Sequence, residues 1–454
     1  YEEILHAQLK RYQLSRDVIS SHVASRLGAA QGNKVDWAAL VTNEFGKPSA
    51  GDLDEEAAQT EKVEALGAME RSRISVLTGP AGTGKTTLLK IFLKQSDVVG
   101  RDILLLAPTG KARVRLGQQT KRPDQARTVA QFLLEFGRYD TGTGQYIIDM
   151  GGPTASATTC VIDESSMLTE DQLAAICSAL PTTCRLILVG DPQQLPPIGA
   201  GRPFVDIITH LESRSSAGLA KLSVSRRQSG GELVRATSLP DVQLGSIFSG
   251  QPLPPGEDEV LASGEPPADS ERLRFVTWES ASDLRERIIE VIGSELDASD
   301  DELERAVELS LGGTVSGDYI YFNHGCGQSA EEWQILSAHR NMASGSSEIN
   351  RLIKQTVRAR RLEAARRRGW GWRMIEPRGA DQITYGDKVI CLRNHPRKRW
   401  NPTDQKRDGY LANGEVGIVN GDAGKRPRWT KVEQLSSSCR GAASSLAGKC
   451  CTPL

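Results

Sequence analysis

Gly79-Pro80-Ala81-Gly82-Thr83-Gly84-Lys85-Thr86 fits the spacing G-x-x-x-x-G-K-[ST]. Glycines at these intervals let the backbone curl until several N–H groups point at one anion. Lys85 adds a point charge for β- and γ-phosphates, and the Thr86 hydroxyl is a Mg²⁺ ligand. Thr87 carries the loop on into its helix. The apolar run Ile74–Leu77 precedes the loop and a helical segment, Lys85–Lys94, follows it. A helix starting there turns its positive dipole end toward the same phosphates. Residues Gly79 to Thr87 therefore read as a site for ATP and Mg²⁺.

Working outward, short apolar runs alternate with helical segments. Ile103–Ala107, Thr159–Ile162 and Leu186–Gly190 read as further strands. Segments near Lys111–Gln118 and over Glu170–Ala179 read as their helices. This β-α-β-α order predicts a parallel sheet covered by helices on both faces. The strand Thr159–Ile162 runs into Asp163-Glu164. An acidic pair is usually a surface feature, but this one ends a strand of a sheet that already carries the phosphate loop. Ligands of open α/β sheets gather at the carboxyl ends of strands. Asp163 is thus expected to hold Mg²⁺, and Glu164 to polarise an attacking water as general base.

Downstream stands Val189-Gly190-Asp191-Pro192-Gln193-Gln194-Leu195-Pro196-Pro197, and upstream Ala107-Pro108-Thr109-Gly110-Lys111-Ala112. With the phosphate loop and Asp163-Glu164-Ser165-Ser166-Met167, these resemble motifs III, Ia, I and II of superfamily 1 helicases of the RecD-like branch. Leu222–Gln228 is similar to motif IV. Ile335–Ala338 with Asn350 resembles the entry to the family's second domain. Gly386-Asp387-Lys388-Val389 and Asn413–Gly417 resemble its small β-rich insertion. The resemblance covers about residues 55 to 430. It implies a P-loop RecA-like parallel sheet, a second and incomplete RecA-like domain, and a role as an ATP-dependent DNA helicase or translocase. Movement 5′ to 3′ on single-stranded DNA and work in DNA repair or recombination come with it. It also implies that Gln194 senses the γ-phosphate and that Arg227 is an arginine finger, Arg226 being the alternative. Gln59, 20 residues before Gly79, would read the adenine edge; an exposed helical glutamine is the other reading. Pro108, Thr109, Lys111 and Thr128 would line the single-strand track, although Ala130 stands where the family carries histidine. Trp370, Trp372 and Trp400 are candidates for base stacking or for core packing.

These readings predict a helical segment at 1–54 and a first RecA-like domain at 55–205 with a small hairpin insertion at about 128–157. The second RecA-like domain would begin at 206–385, with an acidic linker at 250–270 and strands at Arg274–Trp278 and Trp333–Ala338. A β-rich insertion would fill 386–430, and residues 431–454 would be unstructured. The family's closing motifs, T-x-H-K-x-Q-G and a T-R-A arginine, do not occur, and Tyr1 replaces a starting Met. The expectation is a truncated or frame-shifted copy or a fragment. Two other functions stay open: a nucleotide-binding fragment without unwinding activity, and an RNA helicase of the same superfamily.

The net charge of -1 on 454 residues hides an asymmetry. Residues 251–310 carry 17 acidic and 5 basic side chains, and residues 351–430 carry 8 acidic and 20 basic. A basic block can attract a phosphate backbone, since each neutralised phosphate releases counterions; a solvated helix face is the alternative. The 8 cysteines show no C-x-x-C spacing, which fits a reducing cytoplasm better than a disulfide scaffold. No apolar run is long enough for a membrane span.

Overall fold

A computed structural model describes residues 10–28, 35–48, 52–80, 82–214, 217–224, 226–229, 232–235, 240–248, 273–323, 326–367, 376–392, 399–401, 406–408, 414–421 and 451–453. Two compact units divide the chain, 1–274 and 275–454.

The first unit is built on a six-stranded sheet in the order β3-β2-β6-β7-β1-β8. Its strands are β1 (Ile74–Thr78), β2 (Ile103–Ala107), β3 (Ala126–Thr128), β6 (Thr159–Ile162), β7 (Arg185–Gly190) and β8 (Leu219–Lys221). Every pairing in it is parallel. Successive side chains leave a strand on opposite faces, and β1, β2, β6 and β7 are buried at every position, so both faces need cover. Ile74, Val76, Leu104, Leu106, Cys160, Ile162, Leu186 and Leu188 pack on one face. Leu77, Ile103, Leu105, Val161, Ile187 and Val189 pack on the other.

Helices α1 (Lys10–Ala24), α7 (Val129–Glu135), α8 (Glu170–Ser178) and α9 (Pro203–Ser213) cover the first face. Helices α2 (Trp37–Phe45), α3 (Leu53–Arg71), α4 (Lys85–Leu93) and α6 (Gly110–Gln119) cover the second, with the short α5 (Ser96–Val99) after α4. Local signals start several of them. Asp52 accepts from the Glu55 N–H at the head of α3, and Thr128 with Gln131 forms a capping box at α7. Both satisfy N–H groups that a first helical turn leaves orphaned.

The first unit does not stop at residue 205. Val76–Thr78 pairs with β8, and α9 buries Phe204, Ile207 and Leu211 on the sheet. A three-residue strand is too short to show a pattern in sequence, which is why this edge went unread. The insertion is a small hairpin, β4 (Tyr139–Asp140) against β5 (Gln145–Tyr146). Arg138 pins it: the buried guanidinium donates to the carbonyls of Phe136 and Asp149 and to Ser178 Oγ.

The second unit follows expectation in part. Lys388–Cys391 with Val416–Ile418, and Arg399–Asn401 with Lys406–Asp408, are antiparallel pairs within the expected β-rich insertion, while Thr314–Ser316 pairs antiparallel with Tyr319–Tyr321 and Lys388–Cys391 also with Cys451–Pro453. The last pairing places three residues of the supposedly unstructured tail in a sheet; backbone pairing needs no side-chain period to announce it. Arg274–Trp278 and Trp333–Ala338 are not strands, and Trp278 and Leu336 are exposed. A short apolar run becomes a strand only where a neighbour supplies the ladder. The long basic helix expected at Ser347–Arg368 is two helices, Ser346–Gln355 and Ala359–Arg366. Between them Arg358 turns inward to Asp387, Glu308 and the Tyr385 carbonyl. Lys354 also pairs with Asp387, and Arg361 with Glu308. Part of the basic block is thus spent on an internal ion network. No described helix is long and apolar enough to cross a membrane.

Candidate nucleotide-binding site

All strands of the parallel sheet deliver their carboxyl ends to one edge, and the expected site residues follow those ends. The phosphate loop follows β1. Gly82 and Gly84 both sit at φ +87°, a left-handed conformation that costs glycine little and other residues more. Gly79 is constrained differently: a Cβ there would lie 2.3 Å from the Leu222 carbonyl oxygen. The segment leaving β8 therefore passes close against the loop at Gly79. Thr83 Oγ1 donates to the Pro80 carbonyl, and Lys85 Nζ donates to the carbonyls of Gly79 and Pro80 at 2.5 and 2.8 Å. Ala81 lies outside the described residues.

The ammonium of Lys85 is thus folded back over its own loop. Burial pulls its pKa below the usual lysine value, while Asp191, Glu164 and Asp163 pull the other way. Asp163 shows the converse. Burial and then the neighbouring Glu164 push its carboxyl up to about 6, against a hydrogen bond from the Glu164 N–H that favours the anion. Two adjacent carboxylates in a partly dry cleft repel each other, and a bound cation would relieve that repulsion. Glu164 sits at φ +51°, a strained conformation for a residue with a side chain; such strain concentrates at functional sites.

One cleft brings Gly82, Gly84, Lys85, Thr86, Thr87, Asp163, Glu164, Gly190 and Gln194 together. Oxygen donors from a threonine and a carboxylate suit Mg²⁺, which keeps several waters and takes phosphate oxygens besides. The cleft also includes Arg115 and Gln119 of α6, which the sequence reading missed. Their i, i+4 spacing puts them on one face of α6, but nothing in the sequence says which way that face turns.

The remaining candidates divide. Gln59 is buried, and its amide donates to the Gly46 carbonyl and to Glu55; it is no exposed helical glutamine, and it ties α3 to the segment after α2. Thr109 caps α6 by accepting from the Ala112 N–H, with Pro108 before it and Lys111 exposed beside it. Thr128 does not face solvent: it is 1% exposed and its hydroxyl accepts from the Gln131 N–H. A side chain buried as a helix cap cannot line a strand track. Arg226 and Arg227 lie in β9 (Arg226–Ser229), antiparallel to β10 (Glu232–Arg235); their side chains, Trp370, Trp372 and the Trp400 side chain lie outside the described residues.

Comparison with known proteins adds to this geometry. Residues 55–240 match the family described as AAA domain. Over 202 residues the chain is 32% identical to the ATP-dependent RecD2 DNA helicase of Deinococcus radiodurans, covering 44% of this chain and 25% of that protein. Over 303 residues it is 30% identical to the RecBCD enzyme subunit RecD of Mycobacterium tuberculosis, covering 62% and 46%. The parallel-sheet domain is thus similar to the RecD-like branch of superfamily 1 P-loop proteins. An uncharacterized protein of Methanocaldococcus jannaschii is 28% identical over 410 residues, 87% of this chain and 33% of that one. The chain thus spans between a quarter and half the length of these relatives. A crystal structure of Bacteroides Pif1 bound to single-stranded DNA aligns with a TM-score of 0.34 at 15% identity, covering 79% of this chain and 68% of that one. The residues matched by the family include the cleft from the phosphate loop to Gln194 and the β9–β10 hairpin.

Proposed function

We propose that this chain is the ATP-hydrolysing part of a helicase or translocase acting on single-stranded nucleic acid, DNA in the first instance, with movement 5′ to 3′. The observation that carries the reading is the meeting of Lys85, Thr86, Asp163, Glu164 and Gln194 in one cleft. Bound Mg²⁺ would neutralise phosphate charge there. Lys85 would leave its loop carbonyls for the β- and γ-phosphates. Thr86 and Asp163 would hold the metal. Glu164 would take the proton of the attacking water, and Gln194 would orient groups at the γ-phosphate. Arg227 would stabilise transition-state charge as a finger, a contribution of about 10³–10⁵ in rate in well-studied systems. The strand track would be Pro108, Thr109 and Lys111 at the head of α6, whose contacts fix position rather than sequence.

The test is ATP hydrolysis by the purified chain with and without DNA or RNA single strands, beside strand displacement on tailed duplexes. Lys85→Ala should abolish hydrolysis, and Glu164→Gln should keep nucleotide binding without turnover. Normal rates in either variant contradict the assigned roles.

A further inference from the structure

Helix α6 carries two sets of residues at its two ends. Its head holds Thr109 and Lys111 beside the sheet edge. Farther along, Arg115 and Gln119 reach the cleft of Lys85, Asp163 and Glu164. The rise of 1.5 Å per residue makes the separation from Lys111 to Arg115 about 6 Å, one helical turn, so the two cations share a face. Among the described residues no hydrogen bond or ion pair engages Arg115, and its side chain is exposed at the cleft. Its charge acts on Asp163, where it opposes the rise in pKa ahead of Lys85, and on Lys85, which it disfavours as a cation. The guanidinium is attracted to Asp163 but makes no hydrogen bond among the described residues, so its donors are open to a further anion. A terminal phosphate supplies one, and the planar fork of arginine suits two of its oxygens.

We propose that Arg115, supported by Gln119, is a nucleotide contact that distinguishes triphosphate from diphosphate and passes that distinction along α6 to its strand-facing head. The proposal rests on the cleft being an ATP site. When the terminal phosphate is present, Arg115 is drawn to it and α6 is held against the cleft. When it is absent, that tie is missing, and Thr109 and Lys111 are freed to shift with the helix.

The experiment uses the full chain with Mg²⁺ and fluorescent analogues of a nonhydrolysable ATP and of ADP. Arg115→Ala should weaken the triphosphate analogue about tenfold or more, as expected for a lost charged hydrogen bond, and the ADP analogue under about threefold. Arg115→Lys should fall between, keeping the charge but losing the fork. The analogue's effect on affinity for an oligothymidylate should shrink in Arg115→Ala. Thermal unfolding should be unchanged, since Arg115 is exposed. If Arg115→Ala leaves the triphosphate-to-diphosphate ratio unchanged while Lys85→Ala loses both nucleotides, the Arg115 assignment is wrong and the site stands. If Lys85→Ala also binds both normally, the site itself is misplaced and the proposal goes with it.

Discussion

Acidification should loosen the N-terminal helix from the parallel-sheet domain through one buried histidine. His22 on α1 is 3% exposed, and its Nδ1 lies 3.0 Å from Arg26 Nη1. Arginine always donates, so Nδ1 accepts and the ring is neutral. Arg26, also buried, gives its other hydrogens to the carbonyls of His22, Pro181 and Cys184, which fastens α1 to the end of α8 and the start of β7. Burial first, and then the Arg26 charge, lower the His22 pKa from 6.5 to about 4. Protonating the ring would set two cations side by side and cost the Nδ1 bond. The sign follows: a base whose folded pKa is depressed gives stability that is full above 6.5 and declines as pH falls toward 4. Between pH 8 and pH 5 the loss from this one group is about 2 kcal/mol, from 1.36 kcal/mol per pKa unit. Urea unfolding at both pH values, followed by circular dichroism, measures the total. The His22→Gln chain keeps a hydrogen-bonding group without a proton to gain near pH 5. Its pH-dependent loss should be smaller than that of the parent by about 2 kcal/mol. Equal losses in the two chains would refute the argument, and with it the docking of α1 through Arg26.

Three other perturbations test separate contacts. Gly79→Ala would drive a methyl into the Leu222 carbonyl at 2.3 Å; nucleotide binding should be lost while circular dichroism stays native, and tight binding by that variant would contradict the packing. Thr128→Val removes the α7 cap and should cost about 1 kcal/mol of stability while leaving single-strand affinity unchanged, as measured by fluorescence anisotropy. Phe132→Ala empties a site that is 0% exposed and packed against Phe136 at 5.0 Å; a loss of about 3–5 kcal/mol is expected in denaturant unfolding.

The parallel sheet was legible because four of its strands are short, mainly apolar runs and its ligand residues stand at their ends. Ile74–Thr78, Ile103–Ala107, Thr159–Ile162 and Arg185–Gly190 each announce a strand buried on both faces. Leu219–Lys221 does not: three residues with a terminal lysine carry no period, and their place at the sheet edge comes from pairing with Val76–Thr78. Within the cleft, the glycine loop and the Asp163–Glu164 pair were readable because backbone curvature and strand ends dictate where they go. Arg115 and Gln119 were not, since their arrival depends on how α6 lies against α4. Thr128 shows the reverse error, a side chain assigned to solvent that its helix uses as a cap. The second unit misled most. Trp333–Ala338 has strand-like composition, but a strand requires a paired neighbour, and composition does not report one.

The most direct measurement is a crystal structure of the chain with Mg²⁺ and a nonhydrolysable ATP analogue. The β- and γ-phosphates should lie against the amides of residues 82–86 and the Lys85 ammonium, with the metal held at Thr86 Oγ1 and on the Asp163 side of the cleft and a water beside Glu164. A nucleotide bound elsewhere, or one whose terminal phosphate sits away from both carboxylates, would contradict the account.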